Sequence, residues 1–382
     1  MKGNFLKKIM TACFSDTPWR IKTFHQLYRQ VPGAAVDRPE SLSAVMVQQE
    51  GEICYYNKPH FLNSKLAVER HLDGLPRFKA RGFFKAPNRV VYSISGAGIL
   101  GQMGLVYDPD KRCFIAESTA DWTLDLKDLP YTNAYRLSGR EHLPGITLSF
   151  LTLGANGGFY HFLLESLVKA GMFAGMMEQA DHFLFNGPQT AWKQKWIERA
   201  TIDSSKIIWV TDASHYLCEQ LLFTNKLIGD QQANQWCVDT LRSLMRSKRN
   251  EPARAQQKAI WISRKDANSR AITWEQELLA LYPDIQPLDL SEMNAEETIL
   301  AFQNATHVIG PHGAGLSNLY LCSEGTGILE LFPEGDSFKP CYQRLAEVCR
   351  LEHRALYLDF KDKTKADLGI ETLSAMLSKF LC

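Results

Sequence analysis

Charge of one sign is what this chain has least of: 43 Lys and Arg stand against 42 Asp and Glu over 382 residues, a formal net charge of +1. That balance excludes a global field that would gather nucleic acid, so any anionic ligand must be held by local groups. Cysteine is unpatterned. The nine residues at 13, 54, 113, 218, 237, 322, 341, 349 and 382 form no Cys-x-x-Cys pair, which signals neither a disulfide framework nor a zinc site and leaves buried free thiols as the expectation. No uninterrupted apolar run approaches the roughly 18 residues of a spanning helix. The basic start, MKGNFLKKIMTACFSD, carries too short an apolar stretch for a secretory signal. The chain is read as cytoplasmic, with peripheral association at the inner face of a membrane left open. Internal repeats, low-complexity tracts and a Gly-x-Ser-x-Gly elbow are also lacking, and the last absence argues against a serine nucleophile.

What is present is a globular composition, 45% hydrophobic, 11% aromatic and 22% charged. That length exceeds one compact core, so two domains are expected. RVVYSI from 89, GLVYD and RCFIAES are short β-prone runs that predict a hairpin region over 89–118. Asp108-Pro109-Asp110 resembles a metal-holding Asp-x-Asp, but a proline between two strands marks a solvated turn. From Gly145, strand-like runs near 145, 182 and 206 alternate with helical patterns over 159–177 and 189–199. A polar, proline-broken stretch, 239–257, reads as a linker. Beyond it the alternation restarts at 258 and runs to a terminal helix. The expected architecture is α/β and GT-B-like, two Rossmann-like lobes facing a cleft with a β-rich N-terminal extension. Residues 1–238 form the acceptor-side lobe and 258–382 the nucleotide lobe, the last helix crossing back.

The most informative stretch is THVIGPHGAGLSN, residues 306–318. A buried strand there empties into a glycine-broken turn with a histidine, and the amides opening the next segment have no helical acceptors. Such a turn suits a phosphate or diphosphate, although glycines in a doubly wound sheet also serve close packing alone. Arg264 follows a strand and Arg270 lies six residues on, which aims both at the strand's carboxyl end, where α/β ligands bind. Their alternative is an ion pair. His312 has the β-phosphate or a sugar hydroxyl within its reading, or its own backbone. Glu330 sits 20 residues past Gly310, the offset at which a carboxylate reaches a ribose, or pairs with a lysine. Ser263 and Asn318 are lesser candidates for phosphate or sugar contacts. His161 and Glu165 share a helix face four residues apart, which suits a general base and its orienter, or a buried histidine joining helix to sheet.

Three groups of residues resemble glycosyltransferase family 61. They are Asn156 with Tyr160-His161-Phe162-Leu163 and Glu165; Ile262-Ser263-Arg264 with Arg270 and Glu275-Gln276-Glu277-Leu278; and Gly310-Pro311-His312-Gly313-Ala314-Gly315-Leu316-Ser317-Asn318 with Glu330-Leu331-Phe332-Pro333. The resemblance spans about 145–350. Two positions depart from the family's pattern: Phe162 stands where tryptophan is usual and Thr298 where glutamine is.

The resemblance implies an inverting, metal-independent transferase with no cofactor, using a nucleotide-diphosphate sugar, most often UDP-linked. Its acceptor would be a glycan, in capsular or cell-surface polysaccharide biosynthesis. His161 or Glu165 would be the base. Ser263, Arg264, Arg270, His312, Gly313, Ala314, Gly315, Asn318 and Glu330 would line the donor site, with Asn156 and Tyr160 on the acceptor side. Two rivals stay open. An NAD-dependent oxidoreductase fits Rossmann-like lobes, yet Gly310, Gly313 and Gly315 read Gly-x-x-Gly-x-Gly, not the dinucleotide order. A non-catalytic sugar-nucleotide or glycan binder would use the same turn.

Overall fold

The computed structural model describes residues 20–27, 44–55, 60, 83–118, 140–228, 233–245, 258–264, 270–334, 336, 338–360 and 366–381. In chain order the strands are β1 (Arg20–Lys22), β2 (Ala44–Gln49), β3 (Ile53–Tyr55), β4 (Phe83–Lys85), β5 (Arg89–Ser95), β6 (Gly98–Leu100), β7 (Leu105–Asp108) and β8 (Cys113–Ile115). Then come β9 (Glu141–Ser149), β10 (His182–Asn186), β11 (Ile207–Val210), β12 (His215–Thr224), β13 (Lys258–Ile262), β14 (Gln286–Leu288), β15 (Ala305–Pro311), β16 (Gly327–Pro333) and β17 (Glu352–Leu358). The described residues divide into two compact units. One draws on 1–51, 87–190 and 203–227, the other on 52–86, 191–202 and 228–382.

In the first unit β9, β10 and β11 run parallel, and β12 lies parallel to β9 on its other side. β12 is ten residues long, and its free edge takes β5 and β6 antiparallel. The β-rich region expected as an extension is therefore built into one mixed sheet. Its core gathers Tyr92, Ile94, Ile99, Val106, Leu184, Leu221 and Phe223. Asp108 accepts from the Lys111 amide at 2.9 Å and pairs with Lys111 Nζ at 2.7 Å, so the Asp-Pro-Asp run is a turn. Gly96-Ala97-Gly98-Ile99-Leu100-Gly101 does spell the dinucleotide pattern. β6 occupies its middle and pairs antiparallel with β7 and β12, so no helix N-terminus follows to receive a pyrophosphate.

The second unit holds a parallel sheet in the order β14-β13-β15-β16-β17. Unbroken burial over 308–311 of β15 and 327–332 of β16 is what a sheet covered on both faces requires. Trp261, Ile309 and Leu329 pack against Leu278 of the helix Glu275–Leu281 and against Leu373 and Leu377 of the helix Ala366–Phe380. The terminal helix thus covers the sheet of its own unit. Residues 239–244, expected to open a linker, are the second half of the helix Gln235–Leu244, which buries Cys237, Val238 and Leu241. The remainder of that stretch, 246–257, lies outside the described residues. Among the described residues no helix is long and apolar enough to cross a membrane. Six cysteines, from Cys113 to Cys349, are buried free thiols.

Candidate functional site

Strand order locates a crevice in each unit. In the second, the chain goes from β13 out to β14 on one side and returns to β15 on the other, so the sheet's switch point falls between β13 and β15. Arg264 leaves the carboxyl end of β13, and the His312–Gly315 turn leaves that of β15. They meet. The Arg264 guanidinium fills the place where a Cβ on Gly313 would stand. Gly313 has φ 171°, extended backbone open to any residue, so its glycine serves that approach and not an unusual dihedral. Gly310 and Gly315 make room for Ile262, whose atoms would lie 2.9 and 2.8 Å from added Cβ atoms.

The segment after the turn is a 3-10 helix, Ala314–Leu321, in place of the expected α-helix. Its opening N–H groups still lack acceptors within the helix. Burial lowers the pKa of Arg264 from its ordinary value, and the charge on Arg270 lowers it further. A bound anion would relieve both penalties. Arg270 itself has φ 60° and pairs with Asp336 at 3.1 Å, which is the ion-pair alternative.

Other candidates have structural partners. Ser263 Oγ donates to Glu275 Oε1 at 2.7 Å, and Asn318 Nδ2 donates to the Gly315 carbonyl at 3.0 Å. Both brace the turn region. Glu330, for which the sequence offers a ribose or a lysine, is fully buried. His353 Nε2 lies 2.7 Å from its Oε2, and His312 Nδ1 bonds its Oε1. Burial alone would raise this carboxyl, but the hydrogen bonds of His312 and His353 outweigh it and hold the group below the usual carboxylate range. Glu330 therefore orients His312. The His312 ring also stacks on Phe332 at 5.0 Å and meets Tyr342 at 5.1 Å.

In the first unit the switch point falls between β9 and β12, and the segment after β9 carries the other candidates. The helix expected over 159–177 is broken: an α-turn at Phe159–His161, a π-helix at Phe162–Ser166, a 3-10 turn at Leu167–Lys169 and an α-turn at Ala170–Phe173. π-helical insertions collect at functional sites. His161 Nδ1 lies 3.0 Å from Glu165 Oε1, and Thr152 Oγ1 donates to Glu165 Oε2 at 3.3 Å. A carboxylate accepts, so Nδ1–H donates, which in the neutral ring puts the lone pair on Nε2. Lys169, four residues past Glu165, is buried and donates to the Leu151 carbonyl. Burial pulls its pKa down to about 7 against the opposing charge of Glu165.

Tyr160 is buried with its ring 5.3 Å from that of His161. Asn156 is exposed and accepts from the Gly157 amide at 3.0 Å. The two departures are absorbed by packing. Phe162 is buried 6.4 Å from Phe185, and buried Thr298 donates to the Asn294 carbonyl at 2.8 Å.

Thr152, Lys169, Tyr342 and His353 escaped the sequence reading. Only Lys169 had a signal there, as the third member of the i, i+4, i+8 series His161, Glu165, Lys169. Among the described residues no group of three or more His, Cys, Asp or Glu is placed to hold a metal ion.

The glycosyltransferase 61 family model matches residues 159–329, from the helix of His161 into β16. No curated protein matches the chain. The family match covers 171 of the 382 residues and supports glycosyltransferase family 61, and with it glycosyltransferase activity, for this chain.

Proposed function

We propose that this glycosyltransferase uses a nucleotide-diphosphate sugar, UDP-linked, and transfers the sugar with inversion to a hydroxyl of a glycan acceptor, without a metal ion. The observation that carries the reading is the seat of the Arg264 guanidinium against Gly313, at the switch point of a parallel sheet. As the anomeric C–O bond breaks, its electron pair leaves with the diphosphate. Arg264, His312 and the amides of 313–315 are the fixed donors that meet this charge. Charge-assisted hydrogen bonds contribute about 1.5 to 3 kcal/mol each, so several together match what one cation would supply.

The first unit supplies the base in this reading. His161 Nε2 takes the acceptor proton while the acceptor oxygen bonds to the anomeric carbon from the opposite face, and Glu165 steadies the resulting imidazolium. This division of labour is that of a GT-B-like enzyme. A role in capsular or other surface polysaccharide synthesis rests on the family resemblance alone. Thermal protection tests the donor class: UDP raises the melting temperature and NAD does not. Protection by NAD and none by UDP would overturn the proposal.

A further inference from the structure

Two histidines share one buried carboxylate. Gly310 pairs with Glu330 across β15 and β16, and Glu330 pairs with Ala355 across β16 and β17. His312 lies two residues beyond Gly310 and His353 two residues before Ala355. The period of two sets all three side chains on one face of the sheet. The carboxylate sits between the rings, at 0% exposure. A carboxylate so buried demands a compensating cation.

The environments of the two rings decide where that cation is. His353 Nδ1 is buried and has no hydrogen-bond partner among the described residues. Protonating it would bury an unsatisfied N–H, whereas a neutral ring that donates through Nε2 buries only a lone pair. His312 stacks on the face of Phe332 and meets Tyr342 at a tilt, and an aromatic face favours a cation. The other ionisable neighbours are Tyr342 and Cys341 of the helix Cys341–Val348 and Tyr357 of β17, whose pKa values burial raises, so they stay neutral. Arg264, after β13, acts on Tyr342 by its charge, against that rise.

We propose that His353 is a positioning residue. As the neutral Nε2–H tautomer it keeps Glu330 a carboxylate, and Glu330 in turn keeps His312 doubly protonated, so that Nε2–H of His312 is a cationic donor to the diphosphate. This use of His312 rests on the donor reading above. Glu330 and His353 both lie beyond the segment that the family model matches.

Ring-nitrogen NMR on the full chain labelled with ¹⁵N-histidine, assigned with His312→Gln and His353→Gln, reads the charge states directly near pH 6.5. The expected spectrum shows His312 protonated on both nitrogens and His353 on Nε2 alone. His353→Leu removes the donor, lets the proton move from His312 to Glu330, and weakens UDP binding roughly fivefold to tenfold, the step from a charge-assisted to a neutral hydrogen bond. His353→Gln keeps an N–H donor and restores most of that affinity. A doubly protonated His353, or equal loss of UDP affinity in the Leu and Gln variants, overturns the positioning role. If His353→Leu does not fold, the spectrum of the unaltered protein decides. The expected spectrum together with no UDP binding would sink the donor reading and the use of His312 in it, while the charge assignment would stand.

Discussion

Arg264 occupies the space that any side chain at position 313 would need. Gly313→Ala therefore expels the guanidinium while the extended backbone at 313 accepts the new residue. UDP affinity is expected to fall about tenfold to a hundredfold, the loss of one charge-assisted contact. The melting temperature is expected to move little. Calorimetric titration with UDP and a thermal scan of the same variant check this; a large loss of stability with affinity intact would assign the glycine to packing alone.

The pair of His161 and Glu165 separates chemistry from donor binding. His161→Ala is expected to reduce turnover by about 10² to 10⁴, the range for a general base, with UDP affinity within about twofold of the parent. Glu165→Gln keeps an acceptor for Nδ1–H but loses the charge, so its turnover should fall less. Steady-state rates and UDP titration on both variants test the assignment, and unchanged turnover in His161→Ala would dispose of it.

Lys169 links the same site to pH. Its folded pKa, about 7, lies below that of the unfolded chain, so between about 7 and 10.4 the unfolded state binds more protons. Stability contributed through this group is therefore least in acid and rises with pH across that window. Buried tyrosines and cysteines act in the opposite sense above about pH 8.5, so the difference between parent and variant is the quantity to read. Lys169→Met should show a flatter rise in urea-unfolding free energy from pH 7 to 9, by an amount on the order of a few kcal/mol at most. Parallel curves for the two proteins would mean that the buried amine is already charged and well solvated.

The second sheet was legible because fully buried parallel strands appear as short apolar runs between helical patterns, and KAIWIS, THVIG and GILELF became β13, β15 and β16. β12 was not read, because Glu219 and Gln220 interrupt its apolar run beside an irregularity in the β9 pairing. Missing β12 hid the element that joins the β-rich region to the parallel strands. The broken helix after Phe159 was equally opaque, since the apolar pattern of 159–177 fits a continuous helix and a π-helical turn leaves no mark on it.

At the site, the turn itself could be read from its glycines, but the group that needs Gly313 bare turned out to be Arg264. Glu330 stands out by its spacing, but its partners in the structure are His312 and His353. Its true partners depend on strand register, and nothing in the sequence near Glu330 points to a histidine 23 residues later on the next strand.

Turnover of a UDP-sugar by the parent protein and by Arg264→Ala, both in excess chelator, tests the central claim most directly. The account predicts full activity for the parent and loss by at least a hundredfold, about 2.7 kcal/mol, for a variant that still folds. Activity that disappears with chelator and returns with manganese, or a variant as active as the parent, would contradict it.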